Sequence, residues 1–186
     1  MKEVFLVTKN PHKLSEIAAV LRAHGIVVKQ LALEKEEDKL LAIEEVASRN
    51  AKRFAEQEQK PVLVDDTGVF FDAYPGFPGP QPKRVFEQIG YPGLLARLEG
   101  KPRGAAFRTA AAFCRPGGEP VVEVGELRGT ISETVFGQEL DVMPFERIFI
   151  PDGYDKAMCF LAREFKNRLS HRGIAFTRLA KVIQRS

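Results

Sequence analysis

The sequence predicts an α/β fold built around a mixed sheet, and three observations carry that expectation. The apolar run Val4–Val7 leads through a short loop into a helix pattern. Two long apolar stretches, 105–115 and 120–131, flank PGGE, which is strong hairpin-turn chemistry. Further helix-period segments are interleaved with these strands, through to the end of the chain. A crossover connection makes parallel pairs and a tight hairpin makes antiparallel ones, so the sheet holds both.

The first helix is written in full grammar. In TKNPHKLSEIAAVLRAHG, Asn10 suits the cap, Pro11 the first helical position and Gly25 the exit. Leu14, Ile17, Ala18 and Leu21 fall on one face. The charge-dense run Glu34–Lys39 reads as an exposed loop. From Ile43 the positions Val46, Ala47, Ala51, Phe54 and Ala55 keep helical spacing to about Gln57. Val62–Val64 reads as a buried strand and Val69–Tyr74 as another. The Pro/Gly segment Pro75–Pro82 reads as a rigid irregular loop. KRVFEQIG and PGLLARLEG read as short helices, and RIFIPDGY as a strand and turn. Asp155–Arg185 is mostly helical with a break at NRLSHRG, and Phe176, Leu179, Ala180 and Ile183 form the last apolar face.

Composition narrows the class. A chain of 186 residues with 44% apolar and 28% charged content can bury a core as a single domain, 1–186. A net charge of +3, with basic residues dispersed among acids, does not point to nucleic acid. Cys114 and Cys159 are lone thiols with no CxxC or His-rich neighbour, which disfavours zinc or a disulfide framework and fits a reduced, cytoplasmic setting. The opening MKEVFLVTKN has four consecutive apolar residues, too few for a signal-peptide core, and no segment approaches membrane-spanning length.

Three segments carry chemistry. A helix start presents free N–H groups and a positive dipole end, so Thr8, Lys9, Asn10 and Lys13 around it form a candidate anion site, or else a capped surface helix with solvated lysines. Asp65 and Asp66 fall where Val62–Val64 would end. Adjacent carboxylates repel and call for a cation, and successive side chains in a strand point opposite ways. One can therefore face a cleft, holding Mg²⁺ or orienting a water, while its neighbour is held by backbone or by another cation. The competing reading is an Asp capping a turn at Thr67 and Gly68. In KNRLSHRG, Ser170 can cap the last helix, which places His171 and Arg172 in its first turn. Cations are unfavourable there unless an anion or a carbonyl-rich ligand offsets them, although a solvated basic patch fits the same residues. His12 and His24 receive no role. The chain lacks a Walker loop, GxGxxG, GxSxG and HExxH.

Taken in series, these segments resemble the inosine triphosphate pyrophosphatase family, which hydrolyses deaminated purine nucleoside triphosphates. Thr8, Asn10 and Lys13 match its Thr-x-Asn-x-x-Lys after the first strand. Asp65, Asp66 and Thr67 match its acidic-Asp-Ser/Thr, GFPGP its Pro-Gly loop, and Lys83 a lysine often found in that loop. Lys166, Asn167, Ser170, His171 and Arg172 match its closing signature, and IFIPDGYDK is similar to the strand and turn found there. The resemblance covers almost the whole chain. It implies a long mixed sheet flanked by helices, in two lobes with the nucleotide cleft between them.

It also implies a reaction: water attacks the α-phosphorus of dITP, ITP or XTP, releasing the monophosphate and pyrophosphate. Mg²⁺ and lysines would offset charge on the leaving group. Asp66 would be the metal-linked or water-activating carboxylate, with Asp65 its acidic neighbour. Lys13, Lys83 and Lys166 would contact phosphates, and Asn10 would support the first loop. His171 and Arg172 would donate to the 6-oxygen of the base, an acceptor that adenine lacks. The resemblance further implies a homodimer.

Two departures from the family pattern bear on the base and the metal. An aromatic-Gly-aromatic-Asp-Pro run is replaced by Met143, Pro144, Phe145, Glu146 and Arg147. Phe145 can still stack on a purine and Glu146 keeps a carboxylate, but the pocket is reshaped. A metal-binding Glu is expected after the second strand, where Glu34, Glu36 and Glu37 stand, with Glu36 taken as the candidate ligand. The alternatives are therefore the same pyrophosphatase with altered base choice, or a nucleotide-binding protein without catalysis.

Overall fold

The computed structural model describes residues 2–36 and 41–185. Its strands are β1 (Lys2–Val7), β2 (Ile26–Leu31), β3 (Val62–Phe71), β4 (Tyr74–Gly79), β5 (Gly104–Cys114), β6 (Val121–Ile131) and β7 (Phe149–Pro151). The helices are α1 (Pro11–Arg22), α2 (Ile43–Glu58), α3 (Pro82–Arg97), α4 (Arg163–Leu169) and α5 (His171–Arg185). The strands form one sheet in the order β2-β1-β3-β5-β6-β7, with β4 pairing beside β3. β1 runs parallel to β2 and β3, and the remaining pairs are antiparallel, so the sheet is mixed as expected.

The helix grammar holds at α1. Asn10 Oδ1 accepts hydrogen bonds from the backbone N–H groups of His12 (2.9 Å) and Lys13 (3.3 Å). The α3 run bends at Gly90, whose φ of 59° lies in the left-handed region, so the two short helices expected there meet at a kink. β2 is a strand that apolar runs do not single out. Only Ile26 along it is buried, and it joins the sheet by parallel pairing with β1. Of the loop expected over Glu34–Lys39, residues 37–39 lie outside the described residues.

Two expectations are corrected. Val62–Val64 and Val69–Tyr74 are not separated by a turn: β3 runs unbroken, with Thr67 and Gly68 opposite Thr109 and Arg108 of β5. The physical reason is the partner. β5 is 11 residues long and pairs with every position of β3, so the ladder overrides local turn chemistry. Most of the Pro75–Pro82 segment is likewise not an irregular loop, because Tyr74–Gly79 is β4. Its prolines are tolerated because β4 is an edge strand, pairing among the described residues with β3 alone.

The pairing of β3 opens the cleft. On one edge it pairs with β1 at Val62 and Leu63, and with β4 from Val69 onward. Between them, Val64–Gly68 has no strand on that edge among the described residues, and this gap contains Asp65, Asp66 and Thr67.

Alternation then sends the two carboxylates to different faces. Leu63 packs with α1 and α5 through Ile17, Leu21, Phe176 and Leu179, so Asp65 points to that side. Val62 and Val64 pack with α2 through Ala47, Ala51 and Phe54, so Asp66 points to the other. A third cluster, around Phe71, Leu94, Phe107 and Phe149, fills the far half of the sheet. Close approach of α5 to the sheet requires Gly125, where a Cβ would stand 2.0 Å from His171 O.

Candidate active site

The site lies beyond the C-terminal end of β1, where the start of α1, the β3 gap and the start of α5 meet. Open α/β sheets commonly place their ligand crevices there. Asp65 is fully buried, with Lys13 Nζ at 2.9 Å, Arg172 Nε at 3.7 Å and Thr67 Oγ1 at 3.3 Å. Burial opposes ionisation of this carboxyl, but Lys13, Lys35 and Arg172 outweigh it and hold the pKa well below the usual carboxylate range. Burial pulls the Lys13 ammonium downward, against the pull of Asp65. Thr67 shares a 2.7 Å hydroxyl contact with Thr109 across the strands. Thr8 is buried, and its Oγ1 accepts from Asn10 N–H at 3.1 Å, so these two shape the loop that delivers Lys13.

The α5 start resolves the puzzle of two cations at a helix N-terminus. Ser170 Oγ accepts from Gly173 N–H at 3.0 Å, as a cap. His171 is buried and stacked on Phe107, with centroids 4.7 Å apart, and burial together with Arg172 pulls its pKa well below 6.5, so the ring is neutral. Arg172 alone carries charge there. It is offset by Glu16 of α1 at 2.5 Å and by Asp65.

A cavity of about 190 Å³ adjoins this cluster and is lined by His12, Glu16, Asp141, Glu146, Arg163 and Lys166 among others. Lys166 pairs with Glu146 at 2.5 Å, and His12 Nε2 lies 3.3 Å from Asp141 Oδ1. Burial pushes Glu146 up, against Lys166. Among the described residues, buried polar atoms without a protein partner gather around the cluster: Asp65 Oδ1, Asn167 Oδ1, Arg172 Nε and both ring nitrogens of His171. Such atoms are costly unless something hydrogen-bonds to them, and a ligand can. A larger hollow of about 620 Å³ lies at the opposite end of β1, by Lys2–Val4, away from these groups.

The model of the Ham1 family matches residues 4–182. The chain belongs to the Ham1 family. It is 41% identical over 187 residues to the dITP/XTP pyrophosphatase of Ignicoccus hospitalis, covering 97% of this chain and 96% of the relative. It is 39% identical over 180 residues to the dITP/XTP pyrophosphatase of Methanopyrus kandleri, covering 96% and 95%. Among solved structures, a HAM1 protein from Coxiella burnetii superposes with a TM-score of 0.81 over 100% of both chains, at 24% identity, which shows the shared fold. The resemblance read from the motifs is thereby borne out.

Within this Ham1 chain the candidate residues fall into two groups. Thr8, Asn10, Lys13, Asp65, Thr67, His171 and Arg172 converge, and Glu146 with Lys166 lines the adjoining cavity. Lys83 and Phe145 do not join them as placed. Lys83 is 87% exposed and pairs with Glu87. The Phe145 ring, expected to stack on a base, is buried edge-on to Phe86 in the third core cluster.

The metal ligands expected from the sequence fit poorly. Asp65 is enclosed by Lys13, Arg172 and Thr67. Glu36 is 79% exposed and pairs with Arg53 at 3.5 Å, while Glu37 lies outside the described residues. Asp66 has Lys35 Nζ 4.0 Å from its Oδ1. Among the described residues no three His, Cys, Asp or Glu side chains group as a metal cage.

Sequence reasoning missed Glu16 and Lys35. Glu16 lies one turn beyond Lys13 on α1, so an i, i+3 reading from the lysine finds it. Lys35 was hidden inside a run of acids, where a lone lysine reads as solvated.

Proposed function

We propose that this chain hydrolyses dITP, ITP and XTP to the nucleoside monophosphate and pyrophosphate, sanitising the nucleotide pool. The observation that carries the reading is the convergence of Lys13, Asp65, Thr67 and Arg172 below a capped helix start. A cavity beside it is lined by charged groups, and buried polar atoms of Asp65, Asn167, His171 and Arg172 have no hydrogen-bond partner among the described residues. The dITP/XTP pyrophosphatase names of relatives aligned over nearly the full chain support the same reading.

The substrate is a purine nucleoside triphosphate together with its Mg²⁺, which supplies charge neutralisation at the phosphates. The α1 N-terminus and Lys13 bind phosphate oxygens, with Lys166 as a further contact. Asp66 faces the gap in β3 and orients the attacking water. Arg172, fixed by Glu16 and Asp65, donates to the 6-oxygen of the base, with neutral His171 offering one ring N–H beside it. Adenine presents an amino donor at that position and leaves Arg172 facing another donor, which costs binding. A homodimer and a cytoplasmic location complete the proposal. Two buried thiols and the lack, among the described residues, of any helix long and apolar enough to cross a membrane are compatible with the location.

The test is product analysis with Mg²⁺ present. Pyrophosphate and IMP from ITP, with little product from ATP, are expected; orthophosphate as the sole product overturns the reading. Turnover preferring a pyrimidine or a standard purine moves it to altered base choice, and tight binding without turnover to a non-catalytic protein. Light scattering checks the dimer.

A further inference from the structure

Resting on that functional reading, we propose that Lys35 is the resident cation on the Asp66 side of the site. It takes the place that a protein-held divalent ion would fill, so the ion arrives only with the triphosphate. Three observations carry this. First, Lys35 reaches into the β3 gap: its Nζ donates to Asp65 O at 2.5 Å and lies 4.0 Å from Asp66 Oδ1, with the side chain only 16% exposed. On the strand edge left bare between β1 and β4, this ammonium serves a carbonyl that a neighbouring strand would otherwise serve.

Second, the placement is built. Buried Asn50 of α2 accepts from Glu36 N–H at 3.0 Å and donates to Glu36 O at 2.8 Å. Its amide also donates to Val46 O at 2.9 Å. The backbone following Lys35 is therefore clamped at both its donor and its acceptor. A solvated surface lysine needs no such anchor.

Third, among the described residues, the carboxylates that could complete an ion's coordination are engaged elsewhere. Asp65 is enclosed on the opposite face by Lys13 and Arg172, and Glu36 turns toward Arg53. A divalent ion at Asp66 would sit within a few ångströms of a fixed ammonium, and like charges at such range in a partly buried site repel strongly. The pair of adjacent carboxylates thus has a protein cation on each side: Lys13 for Asp65 and Lys35 for Asp66.

Removing the ammonium should take away the charge that repels an ion at Asp66, and adding a carboxylate there should create a site. Mn²⁺ titration of the nucleotide-free protein, followed by electron paramagnetic resonance, reads this directly. Wild type should bind no stoichiometric Mn²⁺, and Lys35→Glu should bind it with an affinity at least about tenfold higher, lost again when Asp66→Asn is added. Lys35→Gln, a milder change, keeps the test standing if the Glu variant fails to fold. It should bind metal-free pyrophosphate about tenfold more weakly than wild type, because one charge-assisted contact is gone.

Wild-type Mn²⁺ binding abolished by Asp66→Asn alone overturns the proposal. So does Lys35→Gln with unchanged pyrophosphate affinity. ITP turnover is assayed separately: its absence in wild type sinks the activity reading, while the titrations still decide the role of Lys35.

Discussion

Lys13 Nζ stands 2.9 Å from Asp65 Oδ2, an ion pair that fastens the first turn of α1 to the middle of β3. The carboxylate is fully buried and the lysine side chain only 19% exposed, which makes the pair a joint of the fold as well as part of the site. Breaking a buried pair by removing one partner leaves an uncompensated charge. Asp65→Asn should therefore cost about 3–5 kcal/mol of stability, read from urea denaturation midpoints. A loss of well under about 1 kcal/mol would show that the ion pair is not formed in solution.

Asp66→Asn should behave differently. Its carboxylate borders the gap outside the Lys13 and Arg172 cluster, so stability should change little while pyrophosphate release from ITP falls by about 10²–10⁴-fold, the usual contribution of a positioned acid–base group. Equal turnover in the variant would remove Asp66 from the reaction.

The pH dependence of stability has a worked sign. His171 is held neutral in the folded chain, with its pKa well below 6.5. The unfolded chain takes up the proton that the folded chain refuses, so stability is full above this value and declines as pH falls below it. The decline is at most about 1.4 kcal/mol per pH unit. Asp65, whose pKa is depressed, loses its contribution only below about pH 4, where the unfolded carboxyl protonates. Glu146, pushed up by burial, acts in the opposite sense, so the quantity to read is a difference. Stability at pH 7.5 minus that at pH 5.5 should shrink in His171→Gln relative to wild type; an unchanged difference contradicts a neutral buried ring.

Ligand occupancy should satisfy the orphaned atoms of His171, Asn167 and Arg172. IMP at about 100 times its dissociation constant should raise stability by about 2.7 kcal/mol, and AMP at the same concentration should do far less. Equal stabilisation by both would show that Arg172 does not read the 6-position.

Asn50→Ala should cost about 1–3 kcal/mol, because the backbone groups of Glu36 and the carbonyl of Val46 lose partners together. The loop carrying Lys35 should loosen with it, seen as faster amide hydrogen exchange at residues 34–36.

Much of this molecule was legible from the chain alone because local rules and tertiary demands agree. Asn10 and Ser170 cap helices where their chemistry says they should, Pro11 opens α1, and PGGE makes the hairpin it spells. The failures share a cause. Thr67 and Gly68 look like a turn until an eleven-residue partner strand claims them, and Tyr74–Gly79 looks irregular until an edge position makes prolines acceptable. Pairing across long sequence separations is invisible to local periodicity. The site divides the same way: Lys13, Asp65 and Arg172 are flagged by type and place, whereas Lys35 depends on Asn50 folding its loop inward. Phe145 reads as a stacking ring through the family resemblance, yet the third core cluster takes it.

The bare stretch between Leu63 and Val69 also imposes a parity on evolution. Deleting or inserting a single residue there, with no bulge to absorb it, would rotate every later side chain of the strand to the reverse surface and turn Val69 out of its cluster; ahead of Asp65 it would also exchange the faces of the two aspartates. A change of an even number of residues leaves both halves of the strand facing their own packing, whereas an odd one needs a bulge to restore it.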